Sequence, residues 1–463
     1  MLDNFFNPKS IAVVGATPNR NKLGYVVLDL LMRKFKGRLY PVNPKYDELF
    51  GIKCYPKVSA IPEVVDLVVV VVPASVVIDV IEDAGKKGVK AAVIISSGFS
   101  EIGGEGVERE RELVKVAKEY GVRIIGPNCL GVYDAFSGVD TWFIPEERMM
   151  RPPPGVIAIL SQSGALAAAM LDFAASEGIG IAKAVSYGNR VDVDEADLLE
   201  YFKEDPNVKV VLIYVEGFKQ NFGRRFRGVA QEFLKEKPII VLKAGKTARG
   251  AAAASSHTGA LAGAYKVYRS AFKQIGVIEA ENLQELFDMG KALAKQPLPK
   301  GRKVAIITDG GGIGVLSTDS LEQLGFEVPE TPEEIKRELS KKVPPHVSLR
   351  NPIDVAGDTD NERYLIAFEA ALRSDEFDAV FGVFLLQPPR LTIELGDELI
   401  KLKRRYPEKP LVTVVYGGSK IVQDFKRKLE EGGIPTYTSP ERAARALWAL
   451  AYYSEVKRRL LGS

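Results

Sequence analysis

Short apolar runs alternate with amphipathic helical stretches along the whole chain, and few folds accept that pattern. Among the first 145 residues the apolar runs fall at 11–14, 38–42, 67–72, 91–95 and 122–125, with helical periodicity at 24–35, 74–87 and 105–120. Apolar strands separated by helices are expected in a parallel sheet covered on both faces, the doubly wound α/β arrangement. A length of 463 residues suits about three such domains.

Two connectors divide the chain. Arg151-Pro-Pro-Pro-Gly155 is stiff, and Lys295-Gln-Pro-Leu-Pro-Lys300 is a second break. Beyond the first break, strand runs at 156–160, 208–215 and 238–242 are echoed beyond the second at 304–308, 379–386 and 410–415. The expectation is a Rossmann-like domain over 1–145, then two copies of one flavodoxin-like unit over 150–295 and 300–463.

In such sheets ligands bind at the carboxyl ends of the strands. In the first domain those ends are 15–24, 43–45, 72–73, 96–99 and 126–131, all rich in Gly, Pro, Ser and Asn. The first loop departs from the G-x-G-x-x-G dinucleotide fingerprint, because Thr17 and Pro18 stand where a second glycine belongs. After the second strand comes Asn43-Pro44-Lys45 instead of an acid for a ribose 2′-hydroxyl. A lysine there favours a phosphorylated ribose, such as that of coenzyme A, over NAD.

The repeat isolates one insertion. Residues 243–263 form a loop of Gly, Ala and Ser carrying His257, one of only two histidines, whereas the third domain runs from Gly417-Gly418 almost directly into a helix. An imidazole on small residues suits a nucleophile or general base near neutral pH; a solvent-facing histidine in a loose turn is the other reading. Additions to a scaffold that closes without them are more often functional than structural. Ser161-Gln162-Ser163-Gly164, at a strand-to-helix junction, suits a phosphate, although Ser-x-Ser-Gly is also an ordinary helix cap. Glu216, at the end of the neighbouring strand, can orient an imidazole or simply begin a helix. Lys243, Lys246 and Arg249 could screen phosphate charge at the base of the loop, although a solvated basic face is the favoured account of all three.

Several classes find no support. Lys plus Arg at 63 against Asp plus Glu at 60 gives no electrostatic case for nucleic acid or a membrane surface. No apolar run is long enough to span a bilayer, and no signal peptide opens the chain. Two cysteines suit a reducing, cytoplasmic setting, and the His and Cys positions lack metal-ligand spacing. A Walker A motif is absent.

Ser256-His257-Thr258-Gly259-Ala260, the Ser161–Gly164 junction, Glu216-Gly217 and Gly126-Pro-Asn-Cys-Leu-Gly131 together resemble the succinyl-CoA synthetase superfamily. With its third domain the chain looks most like the α subunits of archaeal ADP-forming acetyl-CoA synthetases. That resemblance implies acyl-CoA, phosphate and ADP as substrates, passing through an acyl phosphate and phospho-His257, with Glu216 holding the imidazole. It implies phosphate contacts from Ser161, Gln162, Ser163, Gly164, Ser256, Thr258 and Gly259. CoA would lie against Gly15, Ala16, Thr17, Pro18, Asn19, Lys22, Leu23, Asn43, Pro44, Lys45, Val72, Pro73, Ser97, Gly98 and Asn128. It also implies an ATP-grasp β subunit holding Mg²⁺ with the nucleotide, in an α2β2 heterotetramer. A CoA-binding scaffold without catalysis, or a nicotinamide-dependent oxidoreductase, are the competing readings.

Overall fold

The computed structural model describes residues 2–218, 222–252 and 265–462. They form two compact units, Met1–Ala280 and Glu281–Ser463.

The first unit opens with a parallel sheet of β1 (Ser10–Val14), β2 (Arg38–Val42), β3 (Leu67–Val70), β4 (Ala91–Ile94) and β5 (Arg123–Ile125), in the order β2-β1-β3-β4-β5. Every residue of β1, β3 and β4 is buried, which is why these runs read as continuous apolar stretches instead of alternating ones. The helices α1 (Leu23–Lys34), α2 (Ala74–Lys87) and α3 (Glu105–Tyr120) connect them. Gly88 and Gly121 end α2 and α3 in the left-handed conformation, at φ +94° and +66°, where a Cβ would be strained.

The second sheet contains β6 (Gly131–Asp134), β7 (Pro154–Ser161), β8 (Ile181–Ser186), β9 (Val210–Val215), β10 (Ile239–Lys243) and β11 (Ile278–Glu279), ordered β11-β10-β9-β7-β8-β6. Without β6 its winding matches that of the first sheet. β6 is an antiparallel edge strand on β8, and it is supplied by residues that follow directly on β5. Two features here escaped the sequence reading. β8 carries Lys183 at its centre, which breaks the apolar run; its ammonium is buried between Asp134 and Asp205, 2.8 Å from each. The proline connector is part of the structure, since β7 begins at Pro154 and Arg151 is buried against Asp140 at 2.7 Å. The sheet is flanked by α4 (Gly164–Ser176), α5 (Glu195–Glu204), α6 (Phe222–Leu234) and α7 (Tyr265–Ile275).

The second unit repeats the winding with β12 (Val304–Thr308), β13 (Ile353–Asp354), β14 (Ala379–Phe384), β15 (Leu411–Val415) and β16 (Thr436–Tyr437), ordered β13-β12-β14-β15-β16. α8 (Leu283–Lys295) precedes this sheet and packs on α9 (Pro440–Leu461), where Arg442 meets Asp288 at 2.7 Å. Lys291 and Lys295 both reach Glu430, and the Gln296 amide donates to Gly433 O while accepting the Leu411 N–H. The chain after α8 is therefore held by specific hydrogen bonds in addition to its prolines. Among the described residues no helix is long and apolar enough to cross a membrane.

Candidate active site

The strand ends of the first unit enclose a cleft of about 1470 Å³. The loop after β1 forms one wall. Gly15 turns there at φ +94°, and a Cβ on it would stand 2.2 Å from Val71 O. A Cβ on Gly24 would stand 2.1 Å from Gly15 O, so the first turn of α1 presses directly on the strand end. Two glycines nine residues apart thus do the close-packing work of the missing fingerprint.

Of the residues expected to meet CoA, Gly15, Thr17, Lys22, Leu23, Asn43, Lys45, Val72, Pro73, Ser97 and Asn128 line this cleft. Ala16, Pro18, Asn19, Pro44 and Gly98 lie outside its wall and shape the loops behind it. Asn43 donates to Ala16 O at 2.8 Å and accepts the Lys45 N–H at 3.0 Å, joining two loops and leaving Lys45 exposed at the rim. Asn19 accepts the Asn21 N–H at 3.0 Å and stiffens the first loop.

The opposite wall is the start of α4. Ser163 is its N-cap and accepts the Leu166 N–H at 3.4 Å, while Ser161 donates to Ser163 O at 2.8 Å. Both hydroxyls therefore build the turn, and Ser161 is fully buried. The first N–H groups of a helix have no intrahelical partner and carry the positive end of its dipole. Gly164 and Ala165 present that end to the cleft.

Behind the helix start lies a buried polar network. The Gln162 carbonyl oxygen accepts the N–H groups of Glu216 (2.7 Å) and Gly217 (3.2 Å), and its amide nitrogen donates to Glu195 (2.8 Å) and Gly217 O (2.9 Å). Glu195, fully buried at the first turn of α5, also accepts from the Tyr187 hydroxyl at 3.2 Å. Arg190 reaches both oxygens of Glu195, at 2.6 Å for the farther one, and stacks on Phe222 with 5.2 Å between guanidinium and ring. Arg190 borders the cleft, but its charge is matched by Glu195, so an anion arriving here meets chiefly the helix dipole. Sequence reasoning missed Tyr187, Arg190 and Glu195. The Asp194-to-Asp197 capping box was the readable signal of a new helix there.

Glu216 is buried. Its carboxylate lies 3.4 Å from the Tyr214 hydroxyl, and its carbonyl accepts from Lys243 at 2.7 Å. Lys243 corrects the reading of a solvated basic face: it is buried, caps two backbone carbonyls and sits over the Tyr268 ring at 4.6 Å. Burial lowers its pKa, with Glu216 and Glu279 opposing that shift. Arg249 is exposed, as expected. Ser256, His257, Thr258 and Gly259 lie outside the described residues.

At the junction of the two walls, Asn189 donates to Glu101 (2.6 Å), Glu110 (2.9 Å) and Ser100 (3.2 Å). Burial pushes the Glu101 carboxyl up, but hydrogen bonds from Asn189 and from the Gly98 and Phe99 N–H groups outweigh it and lower the pKa. Cys129 borders the same cleft, and burial pushes its thiol up to about 12, which keeps it protonated and unreactive. Among the described residues no cluster of His, Cys, Asp and Glu is suited to a metal ion.

Comparison with known proteins agrees with this layout. Residues 9–135 match the family described as a CoA binding domain, 154–293 the succinyl-CoA ligase like flavodoxin domain, and 304–456 the ligase-CoA domain. The α subunit of acetate–CoA ligase [ADP-forming] I from Pyrococcus furiosus is 44% identical, with 98% of each chain covered. The acetate–CoA ligase [ADP-forming] I of Archaeoglobus fulgidus is 41% identical over 98% of this chain, which spans only 64% of that longer protein. An acetyl-coenzyme A synthetase 1 of Ca. Korarchaeum cryptofilum, solved with phosphate and ADP, superimposes with a TM-score of 0.94 at 41% identity, covering 100% of this chain and 98% of that one. On this full-length similarity the chain belongs to the family of ADP-forming acetate–CoA ligase α subunits.

Proposed function

We propose that the protein is the α subunit of an ADP-forming acyl-CoA synthetase, acting on acetate or a related acid in the cytoplasm. The observation that carries this reading is the junction of a phosphate-leaning CoA cleft with the open N-terminus of α4, pinned through Gln162 to Glu216. The CoA-binding part occupies residues 1–145, and the two ligase parts 150–295 and 300–463.

In the direction of ATP synthesis, a phosphate oxygen attacks the thioester carbonyl at the start of α4. The C–S bond breaks, CoA leaves as the thiolate and takes up a proton, and acyl phosphate remains. The helix dipole at Gly164 offsets the charge of the phosphoryl group. An imidazole nitrogen of His257 then attacks phosphorus, the P–O bond to the acyl group breaks, and the carboxylate leaves. Glu216 accepts the other imidazole N–H, so the attacking nitrogen carries a lone pair. Phospho-His257 finally gives its phosphoryl group to the terminal oxygen of ADP.

The nucleotide site belongs to a separate ATP-grasp β subunit in an α2β2 assembly, which also holds Mg²⁺ to screen the nucleotide phosphates. The P. furiosus relative is itself named a subunit alpha, and this chain spans only 64% of the longer A. fulgidus relative, which supports a partner.

The test is phosphorylation of the chain, assembled with its β subunit, by labelled ATP and Mg²⁺. The label should be acid-labile and base-stable and should vanish, with turnover, in His257→Ala. Absence of label on the assembled wild type would overturn catalysis and leave a CoA-binding scaffold.

A further inference from the structure

The pairing of β9 with β10 ends at Val215 and Lys243, and its last bond runs from the Ala244 N–H to Val215 O at 3.0 Å. Beyond that point side chains take over the backbone of 216–218. Gln162 accepts the Glu216 N–H (2.7 Å) and the Gly217 N–H (3.2 Å) and donates to Gly217 O (2.9 Å). Lys243 donates to Glu216 O (2.7 Å), and the Tyr268 hydroxyl accepts the Phe218 N–H (3.1 Å). The Glu216 backbone is thus gripped on both sides, its N–H by an amide and its C=O by an ammonium.

A buried ammonium is a costly donor for a carbonyl. Lys243 ends β10 inside the protein, and burial lowers its pKa against the opposing charges of Glu216 and Glu279. Two of its donor contacts go to Glu216 O and Ala244 O, and the ammonium faces the Tyr268 ring at 4.6 Å. A neutral donor would hold the same carbonyls without desolvating a charge. What the charge adds is an electrostatic partner for the Glu216 carboxylate, since Glu279 already accepts from the Tyr265 hydroxyl at 2.7 Å. A carboxylate orients an imidazole through its N–H only while it is ionised, and a nearby ammonium disfavours its protonation. The bond to Ala244 O fixes, from the same nitrogen, the first residue of the stretch that leads to His257.

We infer that Lys243 is a positioning residue for phosphoryl transfer between the acyl phosphate and His257, fixing the Glu216 backbone and keeping its carboxylate ionised. This rests on the functional reading above, in which Glu216 accepts the imidazole N–H.

The experiment labels the assembled αβ enzyme from two directions, with labelled acetyl phosphate and with labelled ATP and Mg²⁺. It compares wild type, Lys243→Met, Glu216→Gln and the double variant. Methionine keeps the apolar stem and removes the ammonium. Labelling by acetyl phosphate should slow about tenfold or more in Lys243→Met, the weight of a hydrogen bond from a charged group. Labelling by ATP, which takes place at the β subunit, should slow far less. In the Glu216→Gln background the same substitution should add little, because residues that act through one group are not additive. Lys243→Gln keeps an uncharged N–H donor and should show the same selective loss, so it reports even if the methionine variant fails to assemble. Equal loss of both labels, a wild-type rate with acetyl phosphate, an undiminished effect in the Glu216→Gln background, or failure of both lysine variants to assemble would overturn the inference. A Glu216→Gln enzyme labelled by acetyl phosphate at the wild-type rate would instead refute the functional reading on which it rests.

Discussion

Replacing Gln162 with leucine tests how the helix start and Glu216 are held together. The side chain makes four hydrogen bonds in a buried setting. Two of its partners keep other donors: Glu195 retains Arg190 and Tyr187, and Gly217 O retains Arg190 at 3.4 Å. The Glu216 and Gly217 N–H groups lose the acceptor recorded here, at about 1–3 kcal/mol each. Leucine recovers part of this by placing apolar atoms in a dry site, which leaves a net cost of about 3 kcal/mol. Hydrogen exchange at these two amides reads that cost locally. With 1.36 kcal/mol per decade, both should exchange roughly a hundredfold faster in Gln162→Leu. Turnover should fall with them while KM for CoA stays near its wild-type value, because none of the four hydrogen bonds of Gln162 reaches a residue expected to meet CoA. Unchanged exchange at Glu216 and Gly217 would show that the strand end keeps its geometry unaided, and the reasoning would fail.

Two further outcomes follow from the geometry. Lys45→Ala should raise KM for CoA by about tenfold, the cost of one lost charge-assisted contact, and change KM for 3′-dephospho-CoA much less; equal effects on both would remove Lys45 from the ribose phosphate. Burial, together with the nearby Asp197 and Glu195 carboxylates, raises the Asp194 pKa to about 6 against the opposing hydrogen bond from Asp197 N–H and the charge of Arg225. The folded form then holds this proton more tightly than the unfolded chain, whose Asp titrates near 3.8. The stabilisation is present below about pH 4 and lost as pH rises through about 6. Asp194→Asn keeps the helix cap and should flatten urea-unfolding stability across that window; parallel curves for both proteins would contradict the assignment.

The fold was legible because its strands are buried on both faces. β2, α2, α3 and β12 begin and end at the residues where the apolar period changes. β8 was hidden by Lys183, whose charge contradicts a core strand until Asp134 and Asp205 arrive from distant positions in the chain. The site divides the same way. Glycine turns and a strand-to-helix cap are local, so the loop after β1 and the Ser161–Gly164 junction could be read directly. The Arg190–Glu195–Gln162 network joins residues that only the folded sheet brings together, and no spacing rule encodes it. Lys243 was misread because a lysine beside a glycine loop looks solvated until its two carbonyl partners are known.

β6 has a consequence for how genes of this family can be recombined. The strand lies within the segment matched as a CoA binding domain, yet it completes the sheet of the next segment, and its Asp134 neutralises Lys183 inside that sheet. A crossover near residue 135 would look clean on a domain map, but it would pair one parent's edge strand with the other parent's buried ammonium. The inheritable module therefore runs from the first strand past Asp205, and chimeras that respect it keep Lys183 and both of its counter-charges on the same parental fragment.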